Sequence, residues 1–297
     1  MGWQVSMNQI LSFIHHFDWQ IVLPSLFNGL ILQGLILTIT LAVFSQFVGT
    51  IIGLLLYFLR RSRFTPVRFL ADAYIWFYRG TPLLVQILFL YLALPYLGVA
   101  VPLRNFDLFG ILGFTPSAFF LDSFLAAAVA LSLNEGAYMS EIVRAGIDSI
   151  DLGQMEAAKS LGMTYTQGMR RIVLPQALRV IVPPLGNEFN NMLKTTSLAY
   201  VISLYELLGA AEAVGNPSFH GLELLVTASI WYLTLTTVWG FIQGIMERRL
   251  NASSLDPALR GVSWWERAFG IGRRTVPIPA LPGAVAGESS LIQGDRR

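Results

Sequence analysis

The chain has 297 residues, of which 54% are hydrophobic and only 13% charged, and its formal net charge is +2. That balance is the one of a multi-spanning membrane protein, expected to be all-α and polytopic from its membrane-length apolar runs, and gives no basis for a nucleic-acid partner. With no Cys, a disulfide framework and Cys-based metal sites are excluded, and His15, His16 and His220 lack the spacing of a catalytic zinc site.

Residues 1–24 read as an N-terminal external or interfacial segment, with Phe13, Ile14, Phe17 and Trp19 suited to a membrane boundary. No Lys or Arg occupies the first residues, so the first hydrophobic stretch is expected to be a retained anchor rather than a cleaved signal. From Trp19 to Leu59 there is no charge, but Pro24, Asn28 and Gly29 interrupt the run, which places the first span at 30–58. Its Thr38, Thr40, Gly49, Thr50 and Gly53 are small enough to let another helix approach closely. Arg60, Arg61, Arg63 and Arg68 follow. The amphipathic stretch FLADAYIWFY then leads to Arg79 and is expected to lie along the interface.

Pro82 suits the first turn of a helix, and an apolar run continues to about 97 as the second span. Residues 98–120 read as an external loop broken by Pro102, Gly110, Gly113 and Pro116. The third span, 121–144, contains Asn134, Glu135 and Glu141. Glu141 and Arg144 share a helical face, either as a functional site or as an ion pair near the cytoplasmic boundary.

The stretch 151–175, DLGQMEAAKSLGMTYTQGMRRIVLP, is too polar to enter a bilayer. Asp151 and Gln154, like Thr164 and Gln167, have capping-box spacing. Gly162 sits where a helix ends in the left-handed conformation, and Pro175 is expected to stop the second piece. Beyond Pro183-Pro184, a fourth span to about 209 is interrupted by Glu188, Lys194 and Glu206. An outer turn over 209–222 leads to the last span, 224–246, which ends at Arg248-Arg249. Five transmembrane helices with the N-terminus outside and the C-terminus cytoplasmic leave Arg104 as the one external basic residue, which the positive-inside rule favours. The permease domain is thus expected over 25–250, followed by a partly disordered cytoplasmic tail, 251–297.

Glu156-Ala157-Ala158, then Gly162, then Ile172-Val173-Leu174-Pro175 resembles the EAA loop of bacterial ABC importer permeases. RGTPLLVQ (79–86), NEGAYMSEIVRAGI and LKTTSL resemble the polar amino-acid branch of that family, and the likeness covers roughly residues 25–250. The resemblance implies a MetI-like ABC permease fold in the bacterial inner membrane, with Glu156, Ala157, Ala158, Gly162, Leu174 and Pro175 coupling to a cytoplasmic ABC ATPase dimer. It further implies a second permease chain, identical or homologous, and an external amino-acid-binding protein. ATP and Mg would be held by the ATPase. This chain has no G-x-x-x-x-G-K-[ST] loop, and neither Lys159 nor Lys194, its only lysines, follows a Gly-rich turn. The competing reading is an ion-coupled carrier or membrane-embedded enzyme using Glu135, Glu141, Glu188 and Lys194.

Asn187, Glu188, Asn191, Lys194 and Thr196 are the candidate translocation path or gate, because Asn187, Asn191 and Lys194 recur at helical spacing. A zwitterion leaving water needs amides, hydroxyls and fixed charges in its place. The alternative keeps Lys194 at the cytoplasmic interface, its stem along apolar surface and its ammonium in water. The topology is checked by labelling: Cys at Ser123 or Asn216 should react with an impermeant reagent from outside, and Cys at Ser160 should not.

Overall fold

Every described element is helical. The computed structural model describes residues 17–96, 118–215 and 220–251, so the expectations for 1–16, the 98–117 loop and the tail from 252 lie outside the described residues. All of these belong to one of two units into which the chain divides, Met1–Ser253. The elements are α1 (Trp19–Ser25), α2 (Gly29–Arg60), α3 (Thr65–Gly80), α4 (Leu83–Tyr96), α5 (Ala118–Asp148), α6 (Leu152–Ser160), α7 (Tyr165–Gly168), α8 (Leu174–Thr195), α9 (Leu207–Gly215) and α10 (Gly221–Asn251). A π-helical turn, Met169–Val173, joins α7 to α8, and a 3₁₀ segment, Thr196–Ile202, follows α8.

Among the described residues two helices, Gly29–Arg60 and Gly221–Leu250, are each long and apolar enough to cross a membrane, and two bent pairs qualify if each is taken as one span. The pairs are Thr65–Gly80 with Leu83–Ala93, bent by 108°, and Tyr165–Ile202 with Leu207–Gly215, bent by 49°. α5 has 31 residues, a length of about 46 Å, but its polar positions dilute its apolarity.

The breaks are where the residue chemistry puts them. Asn28 caps α2 by accepting from the Leu30 N–H at 2.9 Å. At the sharp bend Thr81 is extended, and Gln86 folds back to satisfy the freed acceptors. Its Nε2 donates to the Tyr78 carbonyl (3.0 Å), the Thr81 carbonyl (3.1 Å) and the Thr81 hydroxyl (2.7 Å). Asn134 on α5 donates to the same Tyr78 carbonyl and to Gln86 Oε1, fastening the bend to the bundle. The RGTPLLVQ string is therefore a self-satisfied corner. That is the requirement for irregular backbone inside a membrane protein.

α2 and α5 pack along their lengths. A Cβ on Gly49 would lie 2.6 Å from Glu135 Cβ, and one on Gly53 would collide with Met139. On α5 the facing residues are Ser132, Glu135, Gly136, Met139 and Ser140, all buried. Of the small residues singled out on α2, Thr38, Gly49 and Gly53 pack inward. Thr40 and Thr50 instead bond back to the carbonyls of Ile36 and Gln46. Ile87 of α4, Met192 and Leu193 of α8, and Ala199 and Ile202 of the 3₁₀ segment complete this core.

Glu206 fastens a second junction from a fully buried position. Its carboxylate accepts from Thr38 (3.3 Å), Tyr232 (2.7 Å) and the N–H groups of Leu208 (3.1 Å) and Gly209 (3.0 Å), while Leu207 N–H donates to Thr38 Oγ1. It thereby caps α9 and ties α2 to α10. Ser203, at φ 58°, is the left-handed link that turns the chain toward it.

Four expectations need correction. Helix α5 begins at Ala118, inside the expected loop, and the first half of the expected outer turn over 209–222 belongs to helix α9, while 216–219 lie outside the described residues. Pro175 starts α8 rather than stopping a helix, because the π turn before it absorbs the missing donor. Ser123 is fully buried, donating to the Ile202 carbonyl, so position 216 carries the external labelling test alone. Gly49→Val should force α2 from α5 and cost about 1–3 kcal/mol, as overpacked cores do, read as a lower melting temperature in detergent.

Candidate functional site

Two features carry the site residues. The first is the polar loop between α5 and α8. Asp151 caps α6 by accepting from the Gly153 N–H at 2.7 Å; Gln154 does not reach back, and receives the Gln176 side chain instead. Thr164 and Gln167 do form the reciprocal capping box, at 2.9 and 3.3 Å. Between them Gly162 has φ +80°, with Gly162 N–H bonded to the Lys159 carbonyl and Met163 N–H to the Ala158 carbonyl. These are the paired bonds of a Schellman ending.

The loop residues therefore divide. Glu156, Ala157, Gly162, Leu174 and Pro175 are exposed, whereas Ala158 is 1% exposed and lies against Gly168, where a Cβ would come within 3.2 Å of the Ala158 Cβ. Ala158 holds the two short helices together. Its neighbours present the outer face. The exposed carboxylate of Glu156 and the small Ala157 give that face a polar, closely approachable character.

The second feature is a cavity of about 440 Å³ between α4, α5 and α8, within the range of small-molecule sites. Glu188, Asn191 and Lys194 line it from α8, and Asn134, Glu135 and Tyr138 from α5. Glu135 is nearly buried, and its Oε1 accepts from Gln46 Nε2 at 2.9 Å, which fixes the carboxylate from the α2 side. The Arg79 guanidinium stacks over the Tyr138 ring at 5.6 Å.

Three of the five expected path residues thus meet in one cavity. Asn187 does not join them; its Oδ1 accepts from Gln243 of α10 at 3.1 Å. Thr196 is buried and donates to the Leu193 carbonyl at 3.0 Å. The α8 face that matters is offset by one residue from the expected one, because Trp239 and Gln243 of α10 bond to the Gly186 and Pro183 carbonyls and claim the Asn187 side. Sequence reading did not include Tyr138 and Gln46. Neither has a local signal, and only the α2–α5 packing brings Gln46 to Glu135.

Glu141 lies apart from the cavity. It is paired with Arg60 and, at 2.6 Å, with Arg144, as expected of an ion pair at a helix end.

Against known proteins, residues 48–252 match the family described as binding-protein-dependent transport system inner membrane component. The arginine transport system permease protein ArtQ of Bacillus subtilis is 37% identical over 236 residues, which cover 80% of this chain and 98% of the relative. The glutamate/aspartate import permease protein GltK of Escherichia coli is 35% identical, with 80% and 99% covered. Among solved structures, an amino acid ABC transporter crystallised with histidines aligns with a TM-score of 0.62 and 31% identity over 82% of this chain and 99% of that one. The inward-facing methionine ABC transporter MetNI shares the fold, with a TM-score of 0.54 at 18% identity over 74% of this chain and 94% of that one.

The chain belongs to the family of binding-protein-dependent transport system inner membrane components. It is a permease subunit of the ABC amino-acid importer class, with the MetI-like fold.

Gly162→Ala should cost the loop about 1–2 kcal/mol, since a Cβ penalises the left-handed conformation. Faster hydrogen exchange at the amides of Gly162 and Met163, with the rest of the chain unchanged, is the expected reading.

Proposed function

We propose that this chain is one of two permease chains in a bacterial inner-membrane importer of polar amino acids. An external binding protein delivers the ligand, and a cytoplasmic ATPase dimer holding ATP and Mg drives transport through loop 151–175. The observation that carries the reading is the cavity in which Glu188, Asn191 and Lys194 meet Asn134, Glu135 and Tyr138. Carboxylates, amides and an ammonium in one enclosure replace the water that a zwitterionic ligand leaves behind. Its two carboxylates against one ammonium suit a ligand with a cationic side chain better than an acidic one.

The five-span topology has structural support. The Arg60–Glu141 pair puts the C-terminal ends of α2 and α5 on one face, so the chain between them crosses twice. Asp18 N–H donates to Glu223 and Trp231 Nε1 to the Leu26 carbonyl, which puts the start of α2 and the start of α10 together on the opposite face. Loop 151–175 then shares the face of Arg60, Arg61 and Arg63, the cytoplasmic one by the positive-inside rule. Spans α2, α4, α5, α8 with α9, and α10 follow, for a permease domain of 25–250.

Coupling needs a stiff loop. The Schellman turn and the Ala158–Gly168 contact supply that stiffness, and Glu156, Ala157, Gly162, Leu174 and Pro175 offer the surface against which an ATPase groove would sit. The carrier alternative uses the same Glu135, Glu188 and Lys194, but requires transport under an ion gradient by this chain alone in liposomes. The importer reading requires none without the ATPase.

Two variants separate the parts. Ala157→Glu, on the exposed face, should abolish co-purification with the ATPase while leaving the thermal stability of the chain unchanged. Lys194→Met keeps the stem and removes the charge, and should lower ATP-driven uptake at least about tenfold, a loss of about 1.4 kcal/mol of transition-state stabilisation, with ATPase docking retained. Unchanged uptake and amino-acid selectivity in Lys194→Met would remove Lys194 from the path.

A further inference from the structure

We propose that the cleft between α2, α3 and α5, remote from the transport cavity, is a binding site for the phosphate headgroup of an anionic phospholipid. The cleft has a volume of about 290 Å³ and is lined by Arg60, Arg61 and Arg68, by Arg144, and by Asp72 and Asp148. Its charges are unevenly spent. Arg60 pairs with Asp72 at 2.6 Å and with Glu141; Arg144 pairs with Glu141 at 2.6 Å and with Asp148 at 3.5 Å. Two arginines thus already face all three carboxylates.

Arg61 and Arg68 are the remainder. Arg61 donates to the Tyr57 hydroxyl at 2.6 Å and stacks on the Tyr57 ring at 5.6 Å. Tyr57 is itself buried, so this guanidinium is held in place while its side chain stays exposed, and one hydrogen bond uses only part of its five donors. Arg68 has no ion pair among the described residues. Arg61, held by Tyr57, and the unpaired Arg68 open on one cleft and make a seat for a phosphate anion, and a guanidinium can bind phosphate through two parallel bonds.

The surroundings select a lipid over a soluble phosphate. α2 is the long apolar helix, and the cleft lies where it ends in Arg60 and Arg61. Around it Phe58, Phe64, Phe69 and Leu70 are all more than 60% exposed. A free anion uses none of that surface, whereas acyl chains cover it while the headgroup meets the arginines. Basic pockets between helices at the cytoplasmic face are the setting in which anionic headgroups bind. The inference rests on the proposed placement of this face in the cytoplasm, which labelling at positions 160 and 216 tests independently.

The test uses the detergent-solubilised permease–ATPase complex, titrated by native mass spectrometry with phosphatidylglycerol or with phosphatidylcholine of the same chains. Phosphatidylglycerol should be retained in preference. Arg61→Gln and Arg68→Gln should each weaken retention about fivefold, the effect of one basic residue near an anionic surface. Arg61→Lys should keep most of it. Arg63→Gln, at an exposed arginine outside the cleft, should change it less than about twofold. Arg68 is exposed and unpaired, so Arg68→Gln decides the matter even if Arg61→Gln fails to assemble. Equal retention of the two lipids, or equal losses in Arg63→Gln and Arg68→Gln, overturns the site. Displacement by glycerophosphate at concentrations comparable to the lipid assigns the cleft to a soluble phosphate and overturns the lipid.

Discussion

The close approach of α2 to α5 is the constraint on which the rest of the bundle depends. Gly49 and Gly53 remove the side chains that would hold the two helices apart, and Ser132, Glu135, Gly136 and Met139 of α5 meet them. Once the axes are this near, Gln46 reaches Glu135 and fixes one wall of the cavity. At the far end Arg60 reaches Glu141. A bilayer adds no hydrophobic drive between helices, so small residues and hydrogen bonds must supply the association. α5 then serves as the post to which the α3–α4 corner is fastened by Asn134 and against which α8 lays its polar face.

The same requirement governs every place where the helices break. A backbone group released inside the membrane finds no water, so each break carries its own substitute. Gln86 and Thr81 close the sharp corner. Glu206 closes the junction before α9 by accepting four bonds from three elements. α8 runs through Pro183 and Pro184, and beside them α10 donates from Trp239 and Gln243 to the Gly186 and Pro183 carbonyls. Residues that look like polar interruptions in a hydropathy profile are, at these points, what permits the chain to turn within an apolar medium.

Loop 151–175 answers to different physics, because it is wet. Its order comes from local bonds: the Asp151 cap, the Schellman turn at Gly162 and the Thr164–Gln167 box. Ala158 adds a buried contact against Gly168, and the π turn hands the chain to α8 without a hinge. A rigid loop continuous with a long helix is suited to passing a displacement at its surface into the bundle.

The sequence by itself determined whatever depends on neighbours in the chain. The charge-free run after Trp19, the break at Asn28, the left-handed Gly162 and the Thr164–Gln167 box were all legible, because they depend on residues a few positions apart. The helical class and the family followed from the same local strings. Only the tertiary structure decided which polar residues meet. Glu188, Asn191 and Lys194 were candidates by spacing, yet α10 takes Asn187 away and α5 brings Glu135 and Tyr138 in. Ala158 was read as docking surface and proved to be packed inside the loop, and Glu206 was read as an interruption and proved to be a buried junction. A one-residue offset around a helix, about 100° of rotation, settles such questions, and that rotation is set by the packing of other helices.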